Sequence, residues 1–201
     1  MIKNIIFDIG NVLADFAWER LFHRLGFEDE VFENIADATV RGPYWQEFDR
    51  GRMSDREIME GFYSLAPRYR EQLDLFYEHI HEMTDEYPYA AEWVRSLKKA
   101  GYSVYILSNY GKTAFEKRKH PFSFLEEADG KVISYEVLSV KPEREIYQAL
   151  ESRYGISPEE SVFIDDLEEN IEGAERYGYA GILFRSRAQA DQEIAKLSCT
   201  K

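Results

Sequence analysis

Short apolar runs rich in β-branched and aromatic residues recur along the chain, and each gives way to polar residues. Residues 2–7 (Ile-Lys-Asn-Ile-Ile-Phe) stop at Asp8, 104–107 stop at Ser108, and 162–164 stop at Asp165. Residues 180–184 form a fourth run and 132–134 a shorter one. Runs of this length predict buried strands. Apolar residues at helical spacing lie between them. Ala90, Val94 and Leu97 predict a helix over 89–100, with Gly101 closing it. Ile146, Ala149 and Leu150 predict one over 143–154, and Ile171 and Ala174 one over 168–178. Strand and helix alternate through the C-terminal half, the pattern of a parallel sheet with crossover helices.

Residues 16–87 break this alternation. They carry helical patterns and no convincing strand. Ser54-Asp-Arg-Glu57 reads as a capping box, followed by Ile58, Phe62 and Leu65 at helical spacing. Leu73, Phe76, Tyr77 and Ile80 form a second stripe. The expected organisation is an α/β core from 1–15 and 88–201, with a helical cap inserted at 16–87. The joins fall near 15–17 and 87–88.

Composition adds limits. The 201 residues are 44% apolar and include 14 Tyr, 13 Phe and 3 Trp, enough for a substantial core. The formal net charge of −13 repels nucleic acid and anionic membranes, so neither is an expected partner. The single cysteine, Cys199, sits in an expected terminal tail and allows no intrachain disulfide, which fits a reducing cytoplasm. There is no signal-peptide core, and no apolar stretch approaches the roughly 20 residues that cross a bilayer.

Carboxyl ends of parallel strands share one edge of a sheet, where ligands bind. Asp8, Ser108-Asn109 and Asp165-Asp166 should therefore converge there, with Lys141-Pro142 at a nearby helix start. Three carboxylates held together repel unless a cation offsets them, and all-oxygen ligands suit Mg²⁺ better than Zn²⁺. A hydroxyl, backbone N–H groups and a lysine supply a phosphate cradle. Singly, these residues have ordinary readings: Asp8 as a turn former, Ser108 as a helix N-cap, Lys141 as a solvated charge. Together and in this order they describe phosphoryl transfer through an aspartyl-phosphate.

On these motifs the chain resembles the haloacid dehalogenase (HAD) superfamily over essentially its whole length. Phe7-Asp8-Ile9-Gly10-Asn11-Val12-Leu13 is similar to the first motif of that family, which implies Asp8 as nucleophile. Ile106-Leu107-Ser108-Asn109 resembles the second, implying that Ser108 and Asn109 bind the phosphoryl group. Val140-Lys141-Pro142-Glu143 resembles the third, with Lys141 stabilising phosphoryl charge. Phe163-Ile164-Asp165-Asp166, with Asn170 beyond, resembles the metal-binding fourth. The resemblance implies a Rossmann-like parallel sheet (the HAD fold) with a small α-helical cap. It also implies Mg²⁺ held by Asp8, the Gly10 carbonyl, Asp165 and Asp166. Asp166 is expected to bind directly and Asp165 through water. The catalytic set is then Asp8, Ser108 and Lys141. The variant is similar to glucose-1-phosphatase-like members, related to the phosphatase domain of soluble epoxide hydrolase. Hydrolysis of a small phosphate monoester follows, a sugar phosphate and in particular a sugar 1-phosphate.

Gly10 departs from the family pattern, which carries a proton-donating aspartate there. A site without that acid should favour esters with good leaving groups, unless Asp15, a cap side chain or a water supplies the proton. Asp15 otherwise reads as a cap for the first inserted helix. His79 and His81, two apart on a helix, face different sides and make a poor metal pair. Tyr44, Trp45 and Phe48 read as cap core, with pocket lining as the alternative. The acidic pair comes last in the chain, which disfavours a two-component receiver domain. A 2-haloacid dehalogenase-type hydrolase, which needs no metal, and a weakly active phosphate-binding HAD protein stay open as alternatives.

Overall fold

The computed structural model describes residues 1–199; the final two residues of the expected 88–201 core lie outside the described residues. Five parallel strands form the central sheet: β1 (Asn4–Phe7), β4 (Ser103–Ser108), β5 (Gly130–Ile133), β6 (Ser161–Asp165) and β7 (Ala180–Leu183), in the order β5-β4-β1-β6-β7. The two strands unforeseen in the sequence, β2 (Ala14–Phe16) and β3 (Thr84–Glu86), pair antiparallel as a separate ribbon. At three residues each they are too short to show a period. Between them lie helices Trp18–Arg24, Asp29–Ala38, Pro43–Arg50, Asp55–Leu65 and Arg70–His79.

The strands are apolar because both faces are covered. Ile5 and Phe7 point to one side, where Phe7 meets Trp93 at 4.6 Å between ring centroids. Ile6, with Tyr105, Leu107 and Phe163, points to the other, against helices Arg144–Tyr154 and Glu168–Arg176. The first cluster continues without a break into the inserted helices through Leu21, Phe22, Phe62 and Phe76. A buried aromatic of this kind stabilises by about 1.5–3 kcal/mol, so the insertion and the sheet hold each other.

The expected helices at 89–100, 143–154 and 168–178 are present as Ala90–Lys99, Arg144–Tyr154 and Glu168–Arg176. The capping box forms in full: Glu57 N–H donates to Ser54 Oγ, and Ser54 N–H to the Glu57 carboxylate. Some sequence expectations need correction. Leu65 is 45% exposed and leaves the core stripe of Ile58 and Phe62. Asp15 caps nothing. It sits in β2 and pairs with Arg20 at 3.0 Å, while Ala17 stands at the helix N-cap. Ser108 is no N-cap either, since the next helix begins at Lys112 behind Gly111. Cys199 closes helix Arg187–Cys199 as an exposed thiol rather than lying in a tail. His79 and His81 both turn to Glu82, at 3.2 and 3.5 Å. No helix among the described residues is long and apolar enough to cross a membrane.

Candidate active site

Phe7 pairs in register with Ile106 of β4 and Ile164 of β6. The residues that follow, Asp8 and Asp165, therefore emerge side by side at the carboxyl edge, with Ser108 one step further along β4. Asp8 N–H donates to the Ile164 carbonyl at 2.9 Å, which fixes its backbone. Asn11 adopts a left-handed conformation (φ 54°) that turns the chain back toward β2. Its Nδ2 donates to Asp166 Oδ2 at 2.9 Å, and its Oδ1 accepts from Phe16 N–H.

Lys141 is positioned by Asn109. The Asn109 Oδ1 accepts from Lys141 N–H at 2.7 Å, and Nδ2 donates to the Lys141 carbonyl at 3.2 Å. The ammonium, 1% exposed, lies 2.8 Å from Asp8 Oδ1 and 2.6 Å from Asp165 Oδ2. Asp165 also accepts from Leu167 N–H at 2.8 Å and from Asn170 Nδ2 at 3.1 Å. Its lone pairs are thus largely committed. Asp166 is half-buried and bound through its side chain to Asn11.

The electrostatics follow from this placement. Burial pushes the Asp8 carboxyl up to about 7; the Lys141 ammonium opposes the rise, and Asp165 and Asp166 add to it. Burial alone would lower Lys141, but the Asp165 and Asp8 carboxylates outweigh it and hold the amine in its charged form. Burial also raises Asp166, against the Asn11 hydrogen bond. Asp8, Asp165 and Asp166 bring one carboxylate oxygen each within 4.8 Å of one another. Three carboxylates against one ammonium leave an excess of negative charge that a hard divalent cation would offset. The donor set is all oxygen. Asn170, on the cavity wall, adds a buried Oδ1 without a hydrogen-bond partner among the described residues. These residues fit Mg²⁺.

Above them opens a cavity of about 300 Å³ between sheet edge and inserted helices. Asp8, Gly10, Asn109, Lys141 and Asp166 line its floor, whereas Ser108 and Asp165 lie behind the lining. Phe16, Val40, Trp45, Met83 and Leu167 form apolar walls. Trp45 therefore lines the pocket; Phe48 is core, and Tyr44 packs over Gly61. Thr84 Oγ1 and Tyr110 OH, 2.5 Å apart, are held by Arg118, whose Nη1 donates to Thr84 Oγ1 at 2.5 Å.

Asp49 is the functional candidate that sequence reasoning passed over. It comes from the end of helix Pro43–Arg50 and lines the cavity, within electrostatic reach of Asp8 and Lys141. Burial pushes its carboxyl up to about 8, with the Asp8 charge adding to the rise and a hydrogen bond from Gly111 N–H opposing it. Nothing in the sequence marks it among 38 acidic residues, because its significance lies in what it faces.

Comparison with known proteins bears on this geometry. A family model described as haloacid dehalogenase-like hydrolase matches residues 2–178. The D-ribitol-5-phosphate phosphatase of Bacteroides thetaiotaomicron is 24% identical over 96% of this chain and 97% of its own. A sesquiterpene phosphatase of Aspergillus oryzae is 22% identical over 97% and 96%. Among solved structures, a HAD family enzyme of B. thetaiotaomicron in a magnesium complex superposes with a TM-score of 0.73 at 23% identity, covering 96% of this chain and 98% of the other. An L-2-haloacid dehalogenase of Xanthobacter autotrophicus superposes at 0.65 and 17% identity, covering 100% and 84%.

Proposed function

The chain belongs to the haloacid dehalogenase-like hydrolases, and we propose that within that family it is a magnesium-dependent phosphatase acting on a small phosphate monoester, with Asp8 as nucleophile. The observation that carries this reading is the cluster around Asp8: three carboxylates and one shared ammonium beneath the cavity under the inserted helices. A dehalogenase, whose chemistry needs no metal, has no use for Asp166 beside Asp165. The phosphatase relatives point the same way.

In this reading Asp8 attacks phosphorus in line with the ester oxygen, and the P–O ester bond breaks as the aspartyl-phosphate forms. Lys141, pinned by Asn109, stabilises charge on the phosphoryl oxygens and orients Asp8. The side-chain amide of Asn109 is occupied by Lys141, so its phosphoryl contact comes from backbone, beside Ser108. Asp8, the Gly10 carbonyl and Asp166 would hold Mg²⁺ directly, with Asp165 behind them. The ion's part is to offset the charge of phosphate and carboxylates together. Residues 16–87 act as the cap over the core of 1–15 and 88–201, and their apolar wall selects the leaving group. A sugar phosphate suits a cavity lined by the Phe16 and Trp45 rings together with the Thr84 and Tyr110 hydroxyls. Whether the 1-phosphate is favoured depends on the source of the proton.

The test is release of phosphate from a panel of esters, before and after EDTA, with halide release from 2-haloacids in parallel. Phosphate release lost in EDTA and restored by Mg²⁺ is expected. Halide release without metal would overturn the reading. Asp8→Asn keeps the shape of the side chain and should lower turnover by several orders of magnitude; a folded variant with substantial activity would remove Asp8 from the role.

A further inference from the structure

We propose that Asp49 is the catalytic acid and base of this site, protonating the leaving oxygen as Asp8 attacks and then taking a proton from the water that hydrolyses the aspartyl-phosphate. The inference rests on the phosphatase reading above and supplies the group that Gly10 lacks.

The placement carries it. Asp49 lines the same cavity as Asp8 and Lys141 and comes from the inserted helices that close over the sheet edge, near enough to both for their charges to act on its carboxyl. Most other polar side chains of the wall are committed, and the unpartnered Oδ1 of Asn170 is an acceptor with no proton to give. Asn109 clamps Lys141, Asn11 bridges Phe16 and Asp166, and the Thr84 and Tyr110 hydroxyls hold each other under Arg118. Lys141 is divided between two carboxylates. Asp15, the other nearby acid, does not reach the cavity and pairs with Arg20.

Asp49 is also held to the core although it belongs to the inserted helices. Its carbonyl accepts from Ser134 Oγ at 2.6 Å, and that same oxygen accepts from Tyr110 N–H at 2.9 Å. Its neighbour Arg50, buried, donates to Glu143 at 2.5–2.6 Å and to Glu47 at 3.0 Å. Glu143 in turn accepts from Ser139 Oγ and Val140 N–H, in the segment leading to Lys141. Asp49 and Lys141 are thus fixed to one frame, as a proton donor must be relative to the reacting atoms. The proton account balances. The Asp49 proton goes to the ester oxygen as the P–O bond breaks, and a water proton returns to Asp49 as the P–O bond to Asp8 is cleaved.

The test is Asp49→Asn in the full-length protein with Mg²⁺, followed by rapid quench. Asparagine can still accept from Gly111 but carries no acidic proton. With 4-nitrophenyl phosphate, whose leaving group needs no proton, a burst approaching one nitrophenol per enzyme should precede a slow steady state. With a primary alkyl phosphate no burst should appear. The steady-state rate of both should fall by about 10²–10⁴-fold. Steady-state rates within a few-fold of wild type would overturn the proposal. So would loss of the nitrophenol burst in a variant with unchanged circular dichroism, which would mark Asp49 as structural; Asp49→Ala should repeat the burst if Asp49 acts as proposed. The phosphatase reading is judged separately on the wild type. Wild-type phosphate release with an unaffected Asp49→Asn sinks Asp49 alone, and a wild type that releases none sinks both.

Discussion

At residue scale, Asp8 and Gly10, two positions apart, each make a prediction. A Cβ built on Gly10 would meet only Asp8 Oδ2, at 3.8 Å, an ordinary contact, and the backbone there needs no left-handed conformation. The missing side chain is not demanded by the fold. Gly10→Asp in the Asp49→Asn background is therefore expected to return alkyl phosphate turnover by about tenfold or more, read by steady-state kinetics. No gain from a folded double variant would mean that position 10 cannot reach the leaving oxygen. Asp8 makes a stability prediction. A carboxyl raised to about 7 in the folded state binds its proton more tightly than in the unfolded chain. Its contribution is then lost as pH rises from about 4 through about 7. Metal-free Asp8→Asn should exceed metal-free wild type in Tm at pH 8 by more than at pH 5; an equal gap would contradict the charge argument. Asp8 and Asp165 were legible in the sequence because each follows an apolar strand run, and Lys141 because it stands just before a helical pattern. Asp49 was not, since helical spacing says which side a residue takes and nothing about what lies opposite.

At element scale, the decisive contacts lie along the seam between helix Pro43–Arg50 and the core. Gly51 closes that helix at φ 75°, and a Cβ there would lie 2.9 Å from Tyr135 Cβ. Gly51→Ala should cost about 1–3 kcal/mol through strain and overlap, a Tm loss of several degrees, and should lower kcat by moving Asp49. A normal Tm and kcat would show that the seam yields freely. Strands and long helices followed from their periods. The ribbon of β2 and β3 did not, because three-residue strands are defined by a partner about 70 positions away, which no local pattern records. The same holds for short helices such as Lys112–Glu116.

At the scale of the whole molecule, net charge and a shared core both matter. A chain of formal charge −13 repels an anionic ester at long range. Raising KCl from 10 to about 150 mM shrinks the screening length to about 8 Å, and kcat/KM for a phosphate ester should rise while kcat stays level. A fall would indicate local positive steering at the cavity.

The seam has one more consequence, for traffic. With Asp49 and Arg50 sewn to Ser134 and Glu143 of the core on one side, small molecules must come and go on the other. Asn11 and Leu167, the latter 49% exposed, are the exposed members of the cavity wall and so form the doorway. Leu167→Trp should act as a gate, slowing association of bulky esters far more than that of methyl phosphate, whereas the same bulk at Arg52, across the seam, should leave passage unchanged.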